Sequence, residues 1–164
     1  MIRPPSIFAD TESDHAVLIR VEGKGEFTNS PCLRDFAEKM IAEGRRAFVV
    51  DLKNCPSMDS TFMGTLAGIT MRLTDAGGGK LWVINRNHRN TELLDDLGFT
   101  ALFEEGPAPA CGTSAVPLDF VADKATTREV MLEAHEACIK ANPNNAEKFK
   151  DVLEHLADSA RRAK

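Results

Sequence analysis

The 164-residue chain is predicted to fold as an α/β domain: a sheet of about four or five strands that includes connected parallel strands and is covered by helices, followed by a C-terminal pair of helices. Two observations carry this prediction. Strand-like and helical apolar patterns alternate from residue 6 to residue 104, which is typical of strands joined by crossover helices. A Pro-, Gly- and Ala-rich stretch then separates this region from two amphipathic helical patterns.

The first strands and the first helix have clear local signals. Residues 16–21 (AVLIRV) read as a strand, and a short strand at residues 6–9 is predicted to pair with it. Ser30 is predicted to be the N-cap of the first helix, with Gly44 at its C-terminal stop. Residues 47–52 (AFVVDL) form a nearly continuous apolar run, which indicates a central strand buried on both faces.

The alternation continues through the second half of the domain. A second helix is predicted to begin near Ser60, because apolar residues recur at helical spacing: Phe62, Leu66, Ile69 and Leu73. Residues 81–85 read as a strand and residues 91–97 as a short helix. Residues 101–104 are predicted to form a last short strand.

Three parts are predicted along the chain: a domain at residues 1–105, a linker or long loop at 106–122, and a helical extension at 123–164. Thr126 and Glu129 have the spacing of a capping box, so the extension's first helix is predicted to begin there. Asn142-Pro143 should separate its two helices. Because amphipathic helices must bury their apolar faces, the extension is expected to pack on the domain or on a partner chain.

Composition excludes several classes of function. The net charge of −5 argues against nucleic acid as a partner, since phosphate backbones require a basic surface. No apolar run is long enough to insert into a membrane, and residues 1–5 do not resemble a secretory signal. The four cysteines are scattered without a CxxC pair and are expected to be free thiols. These features predict a cytoplasmic protein.

No catalytic, metal or cofactor site is predicted. His135 and Cys138 share a helix face and could form half of a metal site, but no second ligand pair is present, so a partly buried helix side is the preferred interpretation. The Gly77-Gly78-Gly79-Lys80 segment lacks the first glycine and the final Ser or Thr of a phosphate-binding loop. No nucleophile, base and orienting residue can be assembled, so the protein is not expected to be an enzyme.

The segment from residue 51 to residue 66 stands out because it joins the central buried strand to the second helix. Asp59, Ser60 and Thr61 all belong to residue types that cap helix N-termini. One interpretation is therefore purely structural, with Asp59 or Ser60 acting as a helix cap.

This segment also resembles the central motif of STAS domains, as found in the bacterial anti-sigma-factor antagonists. The matching residues are Asp51-Leu52, Met58-Asp59-Ser60-Thr61, Gly64 and Leu66. The resemblance extends over about residues 6–104 and implies the STAS-like mixed sheet. Where many members have glycine two positions after the motif serine, this chain has Phe62, which is either a partner contact or directed inward.

The resemblance implies a regulatory module controlled by reversible phosphorylation of Ser60, with Thr61 as the alternative phosphoacceptor. The implied partners are an anti-sigma factor that is also the serine kinase, and a separate serine phosphatase. Asp59, Thr61, Phe62 and Met63 are the predicted partner contacts, although Met63 could equally pack inward. The alternative function is a non-catalytic STAS subunit of a transport or sensory assembly, in which the C-terminal helices would form a homodimer.

Overall fold

The computed structural model describes residues 6–118 and 122–162. The strands are β1 (Ile7–Asp10), β2 (Val17–Glu22), β3 (Ala47–Asn54), β4 (Lys80–Ile84) and β5 (Val116–Pro117). The helices are α1 (Ser30–Ala42), α2 (Ser60–Asp75), α3 (His88–Asp96), α4 (Lys124–Ala141) and α5 (Asn145–Arg162). The predicted ranges 1–105, 106–122 and 123–164 include residues 1–5, 119–121 and 163–164, which lie outside the described residues.

The five strands form one mixed sheet in the order β4-β3-β2-β1-β5. Strands β2, β3 and β4 are parallel, and α1 and α2 are the crossover helices between them. Strand β1 pairs with β2, which confirms the predicted pairing of residues 6–9 with residues 16–21, and the two strands are antiparallel. The short β5 pairs antiparallel with the other side of β1. The predicted mixed sheet with a C-terminal pair of helices is confirmed.

Helix α2 lies between the sheet and the C-terminal helices. The apolar run of β3 is buried, with Phe48, Val49, Val50 and Leu52 at most 1 % exposed. Helix α2 contacts β4 and α1 on the domain side and α4 on its other side, and α5 packs on α4. Because α2 is covered from two sides, residues 61–67 are all buried.

The structure corrects three local predictions. Residues 101–104 form turns rather than a strand. Asn29, not Ser30, occupies the N-cap position of α1; the Ser30 hydroxyl instead donates to the Glu26 carbonyl, at 2.6 Å. Helix α4 begins before the predicted capping box, because the Asp123 side chain accepts a hydrogen bond from the Thr126 N–H at 2.7 Å.

Two asparagines hold the junction between α4 and α5 against the end of α3. The predicted break at Asn142-Pro143 is confirmed, since α4 ends at Ala141. The Asn142 side chain donates to the Leu97 carbonyl at 3.2 Å, and the buried Asn145 side chain donates to the carbonyls of Leu97 and Cys138. The division into a domain, a linker and an extension remains a prediction.

Within residues 6–118 and 122–162, no helix has the length and apolar character that crossing a membrane requires.

Candidate functional site

The motif segment is fixed by the loop that follows β2. The Gly25 N–H donates to the Ser57 carbonyl at 3.0 Å, and the Asp59 N–H donates to the Gly25 carbonyl at 2.9 Å. Gly25 lies against the Phe62 ring, and a Cβ at this position would come within 2.7 Å of two ring atoms. The close approach of the two loops therefore depends on glycine at position 25.

Asp59 is the N-cap of α2. Its Oδ1 accepts the Phe62 N–H at 2.8 Å, and its Oδ2 accepts the Phe27 N–H at 2.8 Å. The carboxylate thus caps the helix and ties the β2–α1 loop to it. Of the two capping alternatives predicted from the sequence, the structure contains the one with Asp59.

Ser60 is the first residue of α2, and its side chain contacts α4. The Ser60 Oγ lies 2.9 Å from Nε2 of His135, which is only 2 % exposed. The other ring nitrogen, Nδ1, lies 2.7 Å from the Met131 carbonyl oxygen. Because a carbonyl oxygen only accepts, Nδ1 carries a hydrogen, and in the neutral ring Nε2 accepts the Ser60 hydroxyl.

The residues that follow Ser60 are directed inward. Thr61, Phe62 and Met63 are 3 %, 0 % and 4 % exposed. Phe62 thus adopts the inward orientation that the sequence left open, packed between Gly25 and the core. The structure leaves Asp59 and Ser60 half-buried at the junction. Contact of Asp59, Thr61, Phe62 or Met63 with a partner remains a prediction.

The other motif residues have structural roles. The Asp51 Oδ1 accepts hydrogen bonds from the Lys53 N–H and the Asn85 side chain, both at 2.9 Å. Met58 is buried in the core. A Cβ on Gly64 would collide with the backbone carbonyl of Ala134 in α4. Gly64 therefore permits the close approach of α2 and α4.

Charged side chains also join α4 to the domain. Glu133 accepts from Arg34 of α1 at 3.0 Å and lies 3.4 Å from the Arg72 guanidinium of α2. Burial of Arg34 opposes its charge, but hydrogen bonds and charge interactions with Glu133 and Asp35 outweigh that effect and raise its pKa. Arg72 is also paired with Glu38 at 2.6 Å.

Sequence reasoning missed the role of α4 at this site. It noted that His135 and Cys138 share a helix face, and both side chains are buried against the first turn of α2. The Cys138 thiol lies 3.9 Å from the Ser60 carbonyl, and burial raises its pKa to about 12. Among the described residues, no group of three or more His, Cys, Asp or Glu side chains could hold a metal ion. The shared helix face of His135 and Cys138 was the signal in the sequence for this contact, and the residue that it contacts is Ser60.

Comparison with known proteins identifies the domain. The STAS domain model matches residues 8–110. No curated protein matches the chain. Among solved structures, the chain is similar to the anti-sigma factor antagonist SpoIIAA of Bacillus in its unphosphorylated form, with a TM-score of 0.50 and 18 % identity over 62 % of this chain and 89 % of that one.

A second solved structure gives the same picture. An anti-sigma factor antagonist from Mycobacterium paratuberculosis has a TM-score of 0.51 and 20 % identity over 63 % of this chain and 87 % of that one. At these identities the similarity shows the fold alone. Helices α4 and α5 lie beyond the residues that the family model matches.

Proposed function

This chain belongs to the STAS domain family, and on that premise we propose that it is a regulatory module of the anti-sigma-factor antagonist type, controlled by phosphorylation of Ser60. Its partner is an anti-sigma factor that is also the serine kinase, and a separate serine phosphatase removes the phosphate. The module acts by binding and not by catalysis. The four cysteines are free thiols, which is consistent with the reducing bacterial cytoplasm in which we place this switch.

The observation that carries the proposal is that Asp59, and not Ser60, supplies the side-chain cap of α2. Asp59 caps α2, so the Ser60 hydroxyl is not needed for capping. A phosphate on Ser60 adds about −1.5 to −2 charges at pH 7. At a helix N-terminus this charge meets the positive end of the helix dipole, so the domain itself should tolerate the modification. The phosphate should instead weaken binding of the partner, because the partner surface would lie against the new negative charge.

Burial supports Ser60 over Thr61 as the phosphoacceptor. Thr61 is 3 % exposed and lies inside the first turn, whereas Ser60 is half-buried at the helix start. An exposed aromatic residue lies beside this position: Phe27 is 44 % exposed, and its N–H donates to Asp59. We add Phe27 to the proposed partner surface, because it supplies the exposed apolar contact that Phe62 and Met63 do not.

Mass spectrometry of the protein from its native host, purified with phosphatase inhibitors, tests the modification. We expect a fraction with one phosphate, localised to Ser60 by fragment ions. Absence of that phosphate under growth and stress conditions would contradict the proposal. It would favour the alternative of a non-catalytic STAS subunit of a transport or sensory assembly, in which α4 and α5 form a homodimer.

Binding variants test the switch. Ser60→Ala should retain the partner in pull-down experiments, whereas Ser60→Asp should weaken its binding by roughly a hundredfold, equivalent to ~3 kcal/mol. Ser57, in the same loop, provides matched control substitutions to Ala and Asp, which should change binding little. Equal dissociation constants for Ser60→Asp and the unchanged protein would exclude a charge-based switch.

A further inference from the structure

We propose that α4 is an internal cap on Ser60, and that docking of α4 on α2 and a phosphate on Ser60 exclude each other. The kinase then reaches Ser60 only when α4 leaves, and phosphorylation keeps α4 released. The inference rests on the proposed function for its biological meaning, because it describes the regulation of the same serine. Its physical content concerns this chain alone.

The cap is built around a histidine that cannot turn aside. The His135 ring is held on one side by the Met131 carbonyl and packs edge-on against Phe149 of α5, with 4.9 Å between the ring centroids. Its free nitrogen accepts the Ser60 hydroxyl at 2.9 Å. Because the ring is 2 % exposed and held by these two contacts, it stays beside Ser60 as long as α4 is docked.

Phosphoryl transfer is incompatible with this contact. In that step Ser60 Oγ forms a bond to the terminal phosphorus of a nucleoside triphosphate, the bond to the nucleoside diphosphate breaks, and the hydroxyl proton passes to a base of the kinase. The hydrogen bond that the neutral His135 ring accepts is therefore lost, because the ester oxygen carries no hydrogen to donate to Nε2. A dianionic group would also have to enter a contact between two half-buried or buried residues, with the loss of its hydration.

The remaining contacts of α4 with the domain combine small buried side chains, among them Ala137 and Cys138, with ion pairs near the surface. Gly64 and Ala134 bring the helix backbones together, and Glu133 pairs with Arg34 and Arg72 near the surface. A cleft of about 280 Å³ lies between α1, α2 and α4. Solvent therefore reaches the edge of the α2–α4 contact, which suits an element that detaches.

Docking of α4 and phosphorylation of Ser60 are thermodynamically linked. If the phosphate disfavours docking of α4, docking of α4 disfavours phosphorylation by the same free energy. Release of α4 would expose the face of α2 that carries Gly64 and Gly68, next to the motif. In the unphosphorylated chain, the apparent affinity of the kinase for Ser60 then depends on the fraction of molecules in which α4 is undocked.

The test is hydrogen exchange on the full chain with phosphoserine incorporated at position 60 during translation, so that no kinase is needed. We expect amides of residues 124–141 to exchange roughly 5–150-fold faster than in the unmodified chain, the usual range of coupling between two sites. Amides of β3 should remain protected. Phosphoserine at position 57, where the serine has no bond to α4 among the described residues, is the matched control. Unchanged protection of α4 with phosphoserine 60 would overturn the inference.

A second pair of variants keeps the test informative if the phosphorylated chain folds poorly. Ala134→Leu should force α4 away from Gly64 without altering the motif, and should increase exchange in α4 and in the peptide that contains Ser60. Ala125→Leu makes the same substitution on the exposed first turn of α4 and should change neither. If Ala134→Leu exposes α4 while the Ser60 peptide exchanges as before, α4 is not the cap.

The two proposals fail in different ways. Absence of native phosphate on Ser60, together with release of α4 by incorporated phosphoserine, would remove the proposed function and retain the cap. Native phosphate on Ser60, together with an α4 that stays protected, would retain the function and remove the cap.

Discussion

The sheet with α1–α3 and the pair α4–α5 differ in the balance of apolar and polar contacts that hold them in place. In the first region, large apolar side chains such as Phe48, Leu52 and Phe62 are at most 1 % exposed and fill one continuous core. Among its described residues, the pair contributes only Ala137, Cys138 and Phe149 to that core, and it is otherwise attached through two asparagines, ion pairs to Glu133 and the Ser60–His135 bond. Polar attachments contribute less stability than a filled core, so the second region should open more readily. Ser60 lies on the boundary between the two.

The largest effect should come from removing an aromatic ring from either region. Phe62→Ala should lower the free energy of unfolding by about 3–5 kcal/mol, because the cavity would lie in the main core. The same change at Phe149, which packs on His135, should chiefly increase hydrogen exchange in α4 and α5. Denaturant unfolding and peptide-level exchange measure the two effects. If Phe149→Ala lowers protection of β3 as much as Phe62→Ala does, the two regions form one cooperative unit.

Features that depend on a local sequence pattern could be predicted, and features that depend on contacts with distant residues could not. The apolar run of β3, the stripe of α2 and the break at Asn142-Pro143 are local patterns, and the structure confirms all three. The segment at residues 101–104 has strand-like composition, and its Glu104 N–H donates to the Leu81 carbonyl of β4 at 2.8 Å, but the backbone of residues 101–103 turns and so does not extend this pairing into a strand. The predicted N-caps of α1 and α4 were displaced, since several residues near each helix start can cap it.

The candidate site shows the same limit. The motif from Met58 to Thr61 lies in a short stretch of sequence, so its place between β3 and α2 was predictable. His135 lies 75 positions from Ser60, and their contact depends on how α4 crosses α2. Helical periodicity shows that α4 has a buried face but does not identify the surface that covers it. The cap could be found only from the packing of the helices.

An intermediate effect should come from the two glycines of α2 that face α4. A methyl group at Gly64 would meet the Ala134 backbone, so Gly64→Ala should destabilise the α4 contact by about 1–3 kcal/mol. At Gly68 the added Cβ would lie 4.0 Å from the Ala137 Cβ, an ordinary contact. Gly68→Ala should therefore stabilise α2 by about 0.5–1 kcal/mol through its helix propensity. Exchange of the α4 amides measures the first effect and denaturant unfolding measures the second; equal exchange of α4 in the two variants would show that α4 is not closely packed at Gly64.

The smallest effect concerns the N-cap of α4, at the edge of the second region. Hydrogen bonds from Thr126 lower the pKa of Asp123 below its ordinary value. Because the folded pKa is the lower one, its stabilisation of α4 is complete above the unfolded pKa and is lost as the pH falls through the folded pKa. Carboxyl NMR titration of the native and urea-unfolded chain should give a lower midpoint for Asp123 in the native chain. Equal midpoints would mean that Asp123 does not hold the helix start, and Asp123→Ala would then leave exchange in α4 unchanged.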